Sequence, residues 1–204
     1  MTRIGIVDYG VGNLFSLRSS LSAIGADAVI SGDRATLAAC DRIILPGVGA
    51  FGDAADKLRA TGLDRFLTEQ AAAGKQLMGI CLGMQLLFER SFEFGEHRGL
   101  GLLRGSVIPM QGRIDEQLKV PHIGWNALHM TRNAPLLKNV REGDCVYFVH
   151  SFYATDCDDA LIATTNYGID MTAAVSLGNV SGCQFHPEKS GEVGLGILKA
   201  FCEL

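Results

Sequence analysis

The segment Gln76–Glu89, QLMGICLGMQLLFE, sets a cysteine between two glycines where an apolar run meets a helical pattern. Gln76–Ile80 reads as a short buried strand, and Leu82–Glu89 as the start of a helix. Gly79-Ile80-Cys81-Leu82-Gly83 has the spacing of the nucleophile elbow G-x-S-x-G, with cysteine for serine. A sharp strand-to-helix turn holds its nucleophile in a strained backbone conformation. Side chains two residues away on either side would collide, and glycine removes that collision. The helix start favours thiolate over thiol. The N–H of Leu82 is free to point at a developing oxyanion.

Upstream, strands and helices alternate. Ile4–Asp8, Ala28–Ile30 and Arg42–Leu45 are strand-like. Leu14, Leu17, Leu21 and Ile24 mark one face of a helix that Asn13 is placed to cap and Gly25 to stop. Helices are expected over Ala50–Arg59 and Leu63–Ala73. Such alternation means an open α/β sheet with mainly parallel strands. Downstream, Ser106–Ile108, Gly124–His129, Val146–Tyr153, Ala160–Tyr167, Thr172–Leu177 and Asn179–Phe185 are strand-like and closely spaced. Short connections imply antiparallel pairing. A last helix covers about Glu192–Cys202. With no linker, repeat or low-complexity tract, residues 1–204 read as one mixed-sheet α/β domain.

Composition excludes several classes. Apolar residues make up 48% and charged residues 20%, with a net charge of −4, which gives no electrostatic reason for nucleic acid or a membrane surface as partner. No apolar run reaches the ~20 residues a bilayer requires. Asp8 interrupts the N-terminal apolar stretch, unlike a signal peptide, so a cytosolic location is expected. None of the six cysteines forms a C-x-x-C pair, and most read as small buried hydrophobes. The five histidines lack zinc-ligand spacing, so no metal is expected.

A cysteine nucleophile needs a base. His186 follows the strand Asn179–Phe185, and Glu188, two residues on, can hold its other N–H and fix the tautomer. His150, ending the run Tyr147–His150, competes but has no carboxylate nearby in sequence. Ser151 beside it lacks flanking glycines. The loop Pro46-Gly47-Val48-Gly49 follows a parallel strand and should open on the same sheet edge as Cys81, where glycine-freed N–H groups suit an oxyanion or a phosphate. Tyr9-Gly10-Val11-Gly12-Asn13 lacks the third glycine of a dinucleotide fingerprint.

Together G-I-C-L-G-M-Q, P-G-V-G and H-P-E resemble the class I, triad-type glutamine amidotransferases, across essentially the whole chain. D-Y-G-V-G-N-L near the start, V-P-H-I-G-W-N at Val120–Asn126, Y-F-V-H-S-F at Tyr147–Phe152 and H-P-E-K-S at His186–Ser190 resemble the glutaminase subunit of imidazole glycerol phosphate synthase. The glutaminase of pyridoxal phosphate synthase is the nearest alternative, and it lacks P-H-I-G-W-N. The resemblance implies a flavodoxin-like fold, the triad Cys81, His186 and Glu188, and an oxyanion hole from Leu82 with the Val48 or Gly49 N–H. Gly47, Gln85, His150 and Ser151 would hold glutamine. No cofactor is implied. Ammonia would pass to a (β/α)8-barrel cyclase in a heterodimer. Lys189 and the segment Pro121–Asn126 are expected to face that partner together with Asn13, Trp125 being either an interface anchor or a core residue. A reading from another class, a non-catalytic α/β interaction subunit with inert Cys81, is separated from this one by the reactivity of Cys81.

Overall fold

Strand β4, Gln76–Cys81, lies at the middle of an eight-stranded sheet in the computed structural model, which describes residues 2–204. Before it come β1 (Arg3–Val7), α1 (Leu14–Ala23), β2 (Asp27–Ser31), α2 (Arg34–Ala38), β3 (Arg42–Gly47), α3 (Phe51–Thr61) and α4 (Leu63–Ala72). After it come α5 (Leu82–Leu86), β5 (Phe88–Ser91), β6 (His97–Arg98), β7 (Leu103–Pro109), β8 (His122–Ala127) and β9 (His129–Met130). The chain ends with β10 (Cys145–His150), β11 (Phe152–Thr155), β12 (Leu161–Asn166), β13 (Asp170–Leu177), β14 (Val180–Cys183) and α6 (Gly191–Glu203). The main sheet runs β2-β1-β3-β4-β14-β13-β12-β9. Its first five strands are parallel and the last three antiparallel. Strands β10 and β8 form a separate pair, and β11-β7-β5-β6 a third sheet.

Alternation in the strands builds a core on each face. In β3, Ile43 and Leu45 face the layer of α3 and α4, while Ile44 joins Ile4, Ile6 and Met78 against α1 and α6. Helix α3 ends at Gly62, whose φ of 67° is left-handed, and α4 starts there.

Four expectations change. The helix after Cys81 stops at Leu86, because Phe88–Ser91 pairs with β7. The run Val146–Tyr153 breaks at Ser151, since β10 pairs with β8 and β11 with β7. Gly124–His129 likewise divides between β8 and β9, and His129–Met130 pairs with β12. Strand β14 lies parallel to β4, although it follows β13 through a tight turn, so the C-terminal half is not wholly antiparallel. The structure also adds α2, capped by Asp33, whose side chain accepts from Thr36 N at 2.8 Å.

Candidate active site

Cys81 sits at the junction of β4 and α5 with φ 56° and ψ −113°, a region costly for a side chain with a Cβ. Both flanking glycines are required by contact. A Cβ on Gly83 would lie 1.8 Å from the Leu45 carbonyl oxygen, and one on Gly79 would lie 2.6 Å from Gly83 backbone atoms. The elbow is therefore wedged against β3, and larger residues would push α5 off the sheet. Helix α5 has only five residues.

Parallel pairing brings the other parts to the same edge. Gly47 at the end of β3 is in register with Cys81, and Cys183 of β14 with Ile80. Three residues past Cys183, His186 reaches the site. Its Nδ1–H donates to Glu188 Oε1 at 2.8 Å, and both side chains are 3% exposed. Burial works against protonation of His186, but interactions with Cys81 and Glu188 outweigh it and raise its pKa to about 9. Nε2, the nitrogen turned to the sulfur, is buried and makes no full hydrogen bond. Ser190 ties this turn down: its Oγ donates to the His186 carbonyl at 2.6 Å and accepts from Tyr147 N at 3.0 Å.

The cavity over Cys81 holds about 560 Å³. Val48, Gly49, Leu82, Gln85, His150, Ser151, His186 and Lys189 line it. Gly47 does not; it packs beneath the elbow, where a Cβ would lie 2.8 Å from Gly83 N and from the Tyr9 hydroxyl. Gly49 has φ 95°, as its freedom from a side chain permits. Tyr9, which sequence reading passed over as part of a weak dinucleotide pattern, is buried and donates to the Pro46 carbonyl at 2.9 Å, supporting this loop.

Gln85 is 5% exposed and its amide nitrogen is already committed, to the Phe152 carbonyl at 3.1 Å and to Gln184 Oε1 at 3.0 Å. Only its carbonyl oxygen remains for a ligand. His150 does not pair with Cys81; its Nδ1 meets the Phe152 carbonyl at 2.9 Å and its Nε2 meets His122. Burial lowers its pKa to about 3. Among the described residues Glu93, missed in the sequence, is the one carboxylate lining the cavity. Its Oε2 accepts from Phe51 N at 2.6 Å, and burial pushes its carboxyl up. The signal was a carboxylate between two phenylalanines, Phe92-Glu93-Phe94.

Asn13 stands before α1, but its side chain makes no cap bond; with ψ at 63° the residue lacks the extended backbone of a usual N-cap. Trp125 is on the surface, 55% exposed, edge-on to Tyr147. The Lys189 ammonium lies over the Tyr147 ring at 5.7 Å, and not on Glu188. All six cysteines are free; four are buried, as expected for most of them, while Cys145 is exposed and Cys202 partly so. Among the described residues no cluster of His, Cys, Asp and Glu is arranged to hold a metal, and no helix is long and apolar enough to cross a membrane.

A family model described as glutamine amidotransferase class-I matches residues 6–203, which defines the class. The imidazole glycerol phosphate synthase subunit HisH of Wolinella succinogenes is 49% identical over 203 residues, spanning 98% of this chain and 99% of its own. The subunit of the same name from Lactococcus lactis subsp. lactis is 48% identical over 204 residues, spanning 100% and 99%. The chain belongs to the class I glutamine amidotransferases and, within them, to the family of imidazole glycerol phosphate synthase subunits HisH. The structure of PurLQS from Thermotoga maritima shares the fold, with a TM-score of 0.77 at 23% identity over 99% of this chain and 98% of that one.

Proposed function

We propose that residues 1–204 act as one domain that hydrolyses glutamine to glutamate and ammonia, and serves as the glutaminase subunit of imidazole glycerol phosphate synthase in histidine biosynthesis. The observation that carries the reading is the buried pair His186–Glu188, bonded at 2.8 Å, brought to a strained cysteine in one cavity.

The Cys81 thiolate attacks the side-chain amide carbon, and the C=O electrons move onto oxygen. Leu82 N–H and the Val48 or Gly49 N–H hold that oxyanion. Protonated His186 gives its Nε2 proton to the amide nitrogen, the C–N bond breaks, and ammonia leaves a glutamyl thioester. Neutral His186 then takes a proton from water, hydroxide adds to the thioester, the C–S bond breaks to give thiolate and the acid, and the acid loses its proton to solvent as glutamate. Glu188 holds the imidazole in place throughout. Glutamine is a zwitterion, and Glu93 is the cavity's available counter-charge for its ammonium. Gln85 offers only a carbonyl oxygen, and the His150–Ser151 backbone forms the facing wall.

Ammonia in water at neutral pH becomes ammonium and loses its lone pair, so the product has to pass directly to an acceptor enzyme. The relatives are named as a subunit of a synthase, which supports a cyclase as partner, here taken as a (β/α)8 barrel in a 1:1 heterodimer in the cytoplasm. Beside the cavity mouth, Ile123 and Trp125 are 59% and 55% exposed, an apolar strip suited to such a partner. Asn13 and Lys189 complete the proposed interface. The test is labelling by a glutamine-analogue electrophile, read by mass on the Cys81 peptide. Exposed Cys145 is the control. Labelling of Cys81 no faster than of Cys145 would overturn the reading.

A further inference from the structure

His122 lies outside the catalytic cavity, yet it is fully buried and joined to it by hydrogen bonds. Its ring stacks between Tyr167 and Phe148, with centroids 4.1 and 5.0 Å away. Its Nε2 is 3.1 Å from Asn126 Oδ1, and its Nδ1 is 3.1 Å from His150 Nε2. His150 Nδ1 is 2.9 Å from the Phe152 carbonyl, which also accepts from Gln85. From Gln85 the chain continues to Gln184, whose amide nitrogen is 3.8 Å from the Cys81 sulfur. Asn126 is held in orientation because its amide nitrogen donates to the Asn166 carbonyl at 2.9 Å.

Both ends of the two-histidine chain are therefore acceptors. Three bonds require three protons, and two neutral rings carry two. Burial lowers the pKa of each ring, so the pair is neutral at pH 7. One bond is then always unmade. With both rings as Nε2–H tautomers, His150 donates to His122 and His122 to Asn126, and Phe152 loses the histidine. With both as Nδ1–H tautomers, His122 donates to His150 and His150 to Phe152, and Asn126 is left unpaired. The mixed arrangement, His122 as Nε2–H and His150 as Nδ1–H, holds both ends but sets two ring lone pairs 3.1 Å apart, which favours the rings changing tautomer together.

We propose that His122 is a positioning residue for glutamine turnover, setting the tautomer of His150 and so the hold on the Phe152 carbonyl that anchors Gln85. The proposal rests on the reading of the cavity as a glutamine site. Its location gives it a further use. Alternation along β8 puts His122 and Asn126 on the inner face and Ile123 and Trp125 on the exposed one, so a partner seated on that strip presses on the strand that carries the relay.

The test uses the protein in complex with its cyclase. His122→Phe keeps the aromatic stack and removes both nitrogens, and Asn126→Leu removes the far acceptor. Nitrogen-15 NMR should find His150 divided between tautomers in the wild type and wholly Nδ1–H in both variants. For His122→Phe the tautomer that holds the Phe152 carbonyl goes from partial to full population, so kcat/KM with glutamine should rise about twofold. The gain should lie in a lower KM, with kcat and ammonia-driven synthesis unchanged. A structural role alone would lower the melting temperature without this split. An unchanged KM, or an unchanged His150 tautomer in the variants, overturns the proposal. A wild-type complex that fails to hydrolyse glutamine would overturn the glutaminase reading itself, and the tautomer measurement would still decide whether the relay exists.

Discussion

Replacing Glu188 by Gln keeps the shape of the proposed triad and removes its charge. In the wild type His186 Nδ1–H donates to Glu188 Oε1 at 2.8 Å, with both groups 3% exposed, so solvent does little to weaken the bond. A hydrogen bond to a charged group contributes about 1.5–3 kcal/mol. Its loss should lower the His186 pKa by roughly one to two units from its value of about 9. The stability consequence has a definite sign. Because the folded pKa is raised, the pair's contribution is complete below the ordinary histidine value of 6.5 and is lost as the pH rises through 9. The variant should lose stability mainly below pH 6.5 and converge with the wild type above 9. For catalysis, a serine enzyme that loses its triad carboxylate slows by about 10⁴. A thiol ionises more readily than a hydroxyl, so about 10² is expected here. The assay is glutamate release by the complex at saturating glutamine from pH 6 to 10, with ammonia-driven synthesis as the control for folding. Wild-type turnover with an unshifted pH profile would refute the role of Glu188.

Cys81→Ala and Cys81→Ser should abolish glutamine hydrolysis and leave synthesis from added ammonium salts at high pH; equal loss of both would make Cys81 structural. His186→Ala should slow thioester formation by roughly 10²-fold or more, whereas His150→Ala should act mainly on glutamine binding, as rapid-quench kinetics at saturating glutamine would reveal. Lys189→Glu should weaken assembly with the cyclase in titration calorimetry, since its ammonium is exposed above Tyr147 and unused by the triad. The isolated subunit should release glutamate about 10²-fold more slowly than the complex with the cyclase's nucleotide bound, if its resting Val48–Gly49 peptide presents a carbonyl to Cys81 and not the oxyanion-hole N–H. Equal rates would eliminate that switch.

The parallel half of the sheet was legible because its strands are uninterrupted apolar runs ending in glycine loops, and β1 to β4 lie where those runs are. The catalytic edge followed from the same pattern, since parallel strands put Gly47 and Cys81 in register. The second half was harder. Val146–Tyr153 reads as one strand, and nothing local says that Ser151 passes the chain from one sheet to another. Strand β14 returns to pair with β4 through a contact about a hundred residues away in sequence, which no short-range spacing encodes. The supporting polar groups escaped for a related reason. Glu93, Tyr9, Ser190 and His122 gain their meaning from partners distant in the chain, whereas Glu188 was found because it lies two residues from the histidine it holds.

Four buried polar side-chain atoms lack a hydrogen-bond partner among the described residues, on Asp64, Ser181, His186 and Glu188. Two of the four belong to the proposed triad. An unpaired buried polar atom costs about 1–3 kcal/mol, and Cys81 adds backbone strain beside them. A fold selected for stability alone would not place these costs next to one another. They become useful if the missing partners arrive during reaction. His186 Nε2 has its proton aimed at the sulfur in the resting site and finds its acceptor when the amide nitrogen of glutamine acquires a lone pair. Glu188 Oε2 stays unbonded, so the carboxylate's attraction is concentrated on the imidazolium. The strain at Cys81 holds the sulfur at the cavity floor before glutamine enters, so no part of the binding energy is needed to place it. The same logic explains why the glycines matter. Gly79→Ala would force α5 away from β4 and Gly83→Ala would force it away from β3, relieving nothing at Cys81, and the nucleophile would move with the helix.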